Sequence, residues 1–210
     1  HIGTLLGSLI CSVLLFIANS YDVSGDSLGV VIAVLNNNFW LGTHVVAITS
    51  GYGSCLILSA VSHVYLFCGV SYTISSEFKQ RLQKYILAFA LLSLFLTLLG
   101  TILGGIWADQ SWGRFWGWDP KENGALLICL WLIALVHGRI SKQLSPTMFA
   151  AFAAMTSVTV ALAWFGVNLL STGLHSYGFT ENIALNLGLF IFLELLLITT
   201  LTIFNKRAAS

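Results

Sequence analysis

From Trp40 to Val70 the chain carries no Asp, Glu, Lys or Arg at all. A run of this length and polarity has one comfortable environment. Crossing the hydrocarbon core of a bilayer takes about 20 apolar residues. Only a helix or a closed barrel satisfies its own backbone there. Residues 40–70 exceed that requirement, so the segment must tilt, kink or protrude. Gly51 and Gly53 are its natural points for bending or close packing. Further apolar runs occupy residues 3–19, 85–106, 123–138, 147–170 and 183–204. Only 8% of the 210 residues are charged, against about 25% in an average soluble protein. The fold class expected is all-α: a polytopic transmembrane helical bundle of about six spans, with membrane lipid as its solvent. No fixed-period repeat divides the chain, so residues 1–210 read as a single transmembrane domain. A net charge of +1 without a Lys/Arg tract gives nucleic acid nothing to bind.

The loops assign the sides. Lys79, Arg81, Lys84, Arg139, Lys142, Lys206 and Arg207 fall on one side of the predicted spans, and only Arg114 and Lys121 on the other. By the positive-inside rule the first side is cytoplasmic, which places both ends there. The other side then faces the periplasm across a bacterial inner membrane, or the lumen if the membrane is a thylakoid. Leu28–Leu35, in the first outer loop, suits a short helix lying along the interface. His1 falls directly in an apolar run, without the basic region or cleavage site of a signal peptide. The chain therefore reads as a piece of something longer that lacks further N-terminal spans. Cys11, Cys55, Cys68 and Cys129 lie in apolar runs and form no Cys-x-x-Cys pair. This argues against thiol–disulfide chemistry, a zinc site or c-type haem attachment on this chain. The four are expected to be small buried hydrophobes.

The outer side holds the densest chemistry. Residues 107–122 contain Trp107, Trp112, Trp116 and Trp118, four of the seven tryptophans, together with Phe115. Gly113 and Gly117 interrupt them, and Asp109, Arg114, Asp119, Lys121 and Glu122 supply charge. Such a loop belongs at the membrane surface. Flat rings beside a few charges suit a large, flat, partly charged ligand. The plain alternative is an interfacial aromatic belt, which needs fewer rings than this. His44, near the outer end of its span, and His175, in the outer loop after the fifth span, face the same side. Two imidazoles flanking an apolar shelf provide one nitrogen for each face of a haem iron. The alternative for each is a hydrogen-bonded structural histidine. Arg114 and Lys121 suit haem propionates, and Asp119 and Glu122 suit anchoring of the loop. Pro120 stands at a helix start and Glu122 caps it.

Two more histidines lie toward the other side. His63 is about 34 Å of helix beyond Trp40, and His137 about 22 Å beyond Glu122. Both are expected deep in the cytoplasmic half, where an ionisable group marks function unless a backbone carbonyl accounts for it. Glu194, in the last span, reads either as a neutral packing residue or as a histidine partner.

The run Trp112-Gly-Arg-Phe-Trp-Gly-Trp-Asp-Pro-Lys-Glu122 resembles the tryptophan-rich WWD signature of the haem-handling membrane proteins that assemble c-type cytochromes. Its Asp-Pro-Lys-Glu ending looks most like the CcsA (ResC) branch, since the CcmC and CcmF branches depart after Trp-Asp. Phe39–His44 with Gly51-Tyr52 is similar to that branch's first external histidine region. Leu174–Phe179, around His175, is similar to the second. His137, in Leu-Val-His-Gly-Arg, matches the transmembrane histidine. The resemblance spans residues 36–205. It implies a role in cytochrome c biogenesis, with haem b as the transported ligand. Haem would be held outside between His44 and His175, against Trp107, Trp112, Phe115, Trp116, Trp118 and Asp119, with Arg114 and Lys121. Reduced haem would be presented to the Cys-x-x-Cys-His segment of apocytochrome c, where two thioether bonds form. His137 would ligate haem at an inner site with a histidine of a CcsB (ResB) partner. The chain would then be the haem-binding subunit of a cytochrome c synthase, a haem lyase that needs no general base or nucleophile of its own. His63 has no counterpart in the resemblance and stands as a substitute inner ligand. Two rivals are a CcmC-like haem-delivery protein and a b-type electron-transfer cytochrome using His44/His175 and His63/His137.

Overall fold

The computed structural model describes residues 7–9, 11–16, 37–70, 74–170 and 182–209. Within Asn37–Ser210 five helices are long and apolar enough to cross a membrane. They are α1 (Asn38–Val70), α2 (Ser76–Trp112), α3 (Pro120–Ile140), α4 (Pro146–Trp164) and α5 (Ile183–Ala209). No strand occurs among the described residues, and the all-α transmembrane bundle is the fold. His1–Asn36 is a separate unit whose described part is a short apolar helix, Gly7–Phe16. The expected span 3–19 is described only over that helix. The rest of it, and Leu28–Leu35, lie outside the described residues.

α1 is the hub, packing on α2, α4 and α5, while α3 packs on α2 and α4. Leu58, Leu66, Ile86, Ile128, Leu132, Phe149 and Val160 are fully buried between them. The outer faces are apolar too: Phe95, Leu185 and Phe192 are 62%, 70% and 63% exposed. Lipid removes the penalty that water would impose on such faces. It also removes the hydrophobic drive for helices to pair, so close backbone approach has to supply the attraction. Glycine provides that approach. A Cβ on Gly100 would lie 2.8 Å from the Ile48 backbone, and one on Gly51 would lie 2.8 Å from Thr97 Oγ1. Gly100 and Gly104 stand one turn apart on α2, the spacing that lets two helices touch. Gly124 does the same for α3 against Ala163 of α4 at 3.0 Å.

Several boundaries differ from the expected ones. The span 85–106 is the middle of α2, which continues at both ends. The basic stretch is therefore helical from Ser76 onward, and the aromatic segment is helical up to Trp112. Ser75 caps α2 by accepting from the Phe78 N–H at 3.3 Å, and Glu77 suits the positive end of its dipole. Apolar stems let its Lys and Arg residues extend a helix past the hydrocarbon. The irregularity of α1 falls at a π-helical turn, Leu41–Val45, and not at the glycines. Gly51 is a packing point, whereas Gly53 faces open space. α4 is interrupted at Met155, and after Trp164 the chain tightens into a 3-10 turn, Gly166–Leu170. Cys55 and Cys129 are buried as expected. Cys68 is only half-buried and Cys11 is exposed.

Candidate functional site

The N-terminal end of α1, the C-terminal end of α2 and the α2–α3 connection make one structure. α2 stops at Gly113, whose φ of 68° lies in the left-handed region and whose N–H reaches the Asp109 carbonyl at 2.8 Å. Glycine occupies that conformation without cost. Asp119 then opens α3 as its N-cap, accepting from the Lys121 N–H at 2.9 Å, with Pro120 in the first helical position. Glu122 completes a capping box. Its Oε2 accepts from the N–H groups of Gly117, at 2.8 Å, and Asp119, at 3.1 Å. Its Oε1 accepts from Arg114 Nη1 at 3.1 Å. The Asp-Pro-Lys-Glu sequence is thus a helix start that also ties down the preceding loop. The Arg114 guanidinium lies over Gly117, where any side chain would collide with it.

This bracing holds aromatic rings outward. Trp118 is 70% exposed and Phe115 47% exposed. Trp118 has φ 57°, a conformation a bulky residue adopts only when its surroundings impose it. Asn123 Nδ2 donates to the Trp118 carbonyl at 3.0 Å, and Trp116 meets the Trp118 ring edge to face at 6.0 Å. Phe115 lies on Gly105 of α2, and Trp112 is the last residue of that helix.

His44 sits on the π-helical turn beside this assembly. Its Nδ1 is 2.8 Å from the Gly100 carbonyl. A carbonyl only accepts, so Nδ1 carries the hydrogen and the lone pair of the neutral ring is on Nε2. This is the arrangement in which a second partner orients a metal-binding imidazole. Trp107 meets the ring edge-on at 5.6 Å and stacks on Trp40 at 6.3 Å. Trp40 Nε1 in turn donates to Gln110 Oε1 at 3.0 Å. Gly104 lies directly under His44: a Cβ there would be 2.6 Å from Cε1. Nothing in the sequence marks Gln110 as a site residue, and for Gly104 the one signal is its four-residue spacing from Gly100. The donor set and apolar walls around His44 fit one axial side of a haem. His175 lies outside the described residues.

Of the cations expected to meet a ligand's carboxylates, Arg114 is paired with Glu122. Lys121 Nζ donates to the Trp164 carbonyl at 2.6 Å, joining the loop to the end of α4.

His63 and His137 are not brought together. His137 lies in the last turn of α3 and is exposed on the bundle's surface. His63 is enclosed: its Nδ1 is 2.9 Å from the Ser59 carbonyl and its Nε2 is 3.5 Å from Glu194 Oε1. That second contact falls within ion-pair range but makes no hydrogen bond. Glu194 also accepts from Ser157 Oγ at 2.6 Å. Glu194 thus stands beside His63 and bonds to Ser157. The group adjoins the α4 interruption. The Val158 N–H donates to the Met155 carbonyl, and the Ala154 carbonyl accepts from Ser59 Oγ at 2.7 Å, while Ser157 Oγ, 2.9 Å from the same carbonyl, has one hydrogen to divide between it and Glu194. Among the described residues no group of three or more His, Cys, Asp or Glu could hold a bare metal ion.

Residues 4–175 match the model of a family described as cytochrome C assembly protein. A cytochrome c biogenesis protein CcsA of Chlamydomonas reinhardtii is 33% identical over 187 residues, covering 83% of this chain and 52% of the relative. Its namesake in Guillardia theta is 30% identical over 201 residues, covering 83% of this chain and 66% of the relative. Another in Nostoc punctiforme is 46% identical over 80 residues, 38% of this chain and 23% of the relative. The chain thus spans from about a quarter to two thirds of the length of these relatives.

Proposed function

This chain belongs to the cytochrome c assembly protein family, and from that premise we propose that it serves cytochrome c biogenesis by holding haem at its aromatic outer face. Haem is the cargo. His44 supplies one axial nitrogen and His175 the other, while Trp107, Phe115 and Trp118 wall the ring. The single observation that carries the reading is the His44 ring, oriented by the Gly100 carbonyl at 2.8 Å and walled by Trp107. A ligand held this firmly loses little freedom when it binds iron. The vinyl groups of haem held there add the two thiols of an apocytochrome Cys-x-x-Cys-His segment. The chain's own residues bind, orient and exclude water, and none acts as base or nucleophile. Arg114 contributes by bracing the loop through Glu122, and Lys121 by tying it to α4. The seven bases gathered at the opposite end of the helices support an orientation with the aromatic face toward the periplasm or thylakoid lumen. The exposed His137, in the last turn of α3, supports an inner haem ligand completed by a CcsB-type partner chain.

The test uses the full chain co-expressed with a CcsB-type partner and an apocytochrome c. The expected result is covalent haem on the apocytochrome with the intact chain, its loss with His44→Ala or His175→Ala, and its recovery on adding imidazole. Normal maturation in both variants without imidazole overturns the assignment. Haem bound to the chain without thioether formation would leave a delivery protein.

A further inference from the structure

The basic end of the bundle holds a cleft that the outer haem reading does not use. Its volume is about 320 Å³, and Tyr65 of α1, Lys79, Gln83, Lys84 and Leu87 of α2, and Arg139 of α3 line it. Three cations meet there, and no carboxylate is among the residues lining the cleft. Arg81, on the same helix, lies outside it and pairs with Glu77 at 3.7 Å. The Arg139 guanidinium is held over the Phe149 ring at 5.3 Å, a contact that fixes its position without neutralising it.

Gln83 adds a chemical requirement. It is 7% exposed, and its Nε2 donates to the Pro146 carbonyl at 2.9 Å. That carbonyl only accepts, so the amide cannot be turned round, and Gln83 Oε1 is left buried without a hydrogen-bond partner. A buried acceptor of this kind calls for a donor. Below the cleft the same helix face becomes apolar. Leu87 and then Leu91, 47% exposed, follow Lys84 at helical spacing. Positive charge at the membrane surface, a hydrogen-bond acceptor beside it and an apolar track beneath are complementary to one molecule: a phospholipid whose headgroup carries both an anion and a hydroxyl.

We propose that this cleft is a binding site for an anionic phospholipid of the basic-side leaflet. The phosphodiester lies between Lys84, Arg139 and Lys79, a headgroup hydroxyl donates to Gln83 Oε1, and an acyl chain runs along Leu87 and Leu91. Basic pockets between membrane helices recognise lipid headgroups in this way.

The measurement is lipid retention by native mass spectrometry of the full chain. It is purified in detergent and offered phosphatidylglycerol, phosphatidylmethanol and phosphatidylcholine. Phosphatidylglycerol should be retained over phosphatidylcholine. The double variant Lys84→Gln/Arg139→Gln should lower its affinity roughly thirtyfold, about fivefold per cation. Arg81→Gln, a base at the same end but outside the cleft, should change it little. Gln83→Leu should erase the preference for phosphatidylglycerol over phosphatidylmethanol, which lacks the hydroxyl. Circular dichroism of each variant checks that the helices persist. Equal losses in Arg81→Gln and the double variant would mean general surface attraction and overturn the site. So would equal retention of phosphatidylcholine. Displacement of the lipid by an equal concentration of inorganic phosphate would assign the cleft to a soluble oxyanion instead.

Discussion

Gly104→Ala separates the site from the fold more cleanly than removal of the histidine does. The new Cβ would stand 2.6 Å from His44 Cε1 and 3.0 Å from Nδ1. Carbon atoms rest at about 3.5–4.0 Å, so the ring must retreat by about 1 Å. It is held on its other sides by the Gly100 carbonyl and by Trp107. A displacement of that size takes the 2.8 Å hydrogen bond beyond useful length, at a cost of about 0.5–1.5 kcal/mol. It also moves Nε2 off the line on which an axial ligand must lie. Together these should lower haem occupancy by about tenfold, equivalent to about 1.4 kcal/mol. The backbone responds in the opposite sense, because alanine inside a helix is favoured over glycine by about 1 kcal/mol. The variant should therefore melt at or near the temperature of the unaltered chain while losing haem. The assay pairs a pyridine haemochrome determination with a thermal unfolding curve on the same preparation. Gly42→Ala, on the same π-helical turn but facing open space, is the control and should do neither. Full haem with an unchanged spectrum in Gly104→Ala would refute the claim that the ring's position matters. A collapsed melting curve would mean that Gly104 serves the helix seam and not the histidine.

Other consequences are as direct. Asp119→Ala removes the cap on the Lys121 N–H and should cost about 1 kcal/mol, read as faster amide exchange at 113–119. Glu122→Ala should cost more, because it releases Gly117, Asp119 and Arg114 together; equal effects of the two would show that the loop does not depend on Glu122. Glu194→Gln keeps an amide oxygen at the Oε1 position as acceptor for Ser157, so it should change unfolding by less than about 1 kcal/mol, against about 1–3 kcal/mol for Glu194→Ala. If the two melt alike, the carboxylate charge holds the cluster and the bond count is wrong. Gly100→Leu should push α1 from α2 and lower stability by several kcal/mol, as overpacking at a backbone contact does; a melting curve unmoved by it would show that the seam adapts.

What could be read in advance follows the range of the forces involved. The middle of each helix was legible because hydropathy is summed over a window. The helix start at Asp119-Pro120-Lys121-Glu122 was legible because capping is local. The start of α2 was not, since Lys79, Arg81 and Lys84 look like loop until their snorkelling stems are considered. The place of His44 near one end of its span was legible, but not its hydrogen bond to Gly100, which joins two helices 56 residues apart in sequence. Residue count puts His137 far along α3, in its last turn, but does not show that it is exposed there, because count sets depth along a helix and not which way a side chain faces. The interruption of α4 had no proline or glycine to announce it.

That interruption also implies an order of events when the chain is made. A helix released alone into lipid must satisfy its own backbone. At Ala154 the interrupted form relies on the hydroxyl of Ser59, which belongs to α1, because Ser157 divides its one hydrogen with Glu194. Before α4 docks on α1, a straight α4 with every carbonyl bonded along the helix is the cheaper conformation. The interruption is therefore acquired on assembly: α4 is cheapest as a plain rod until it packs against α1, which precedes it in the chain and gives it its final shape.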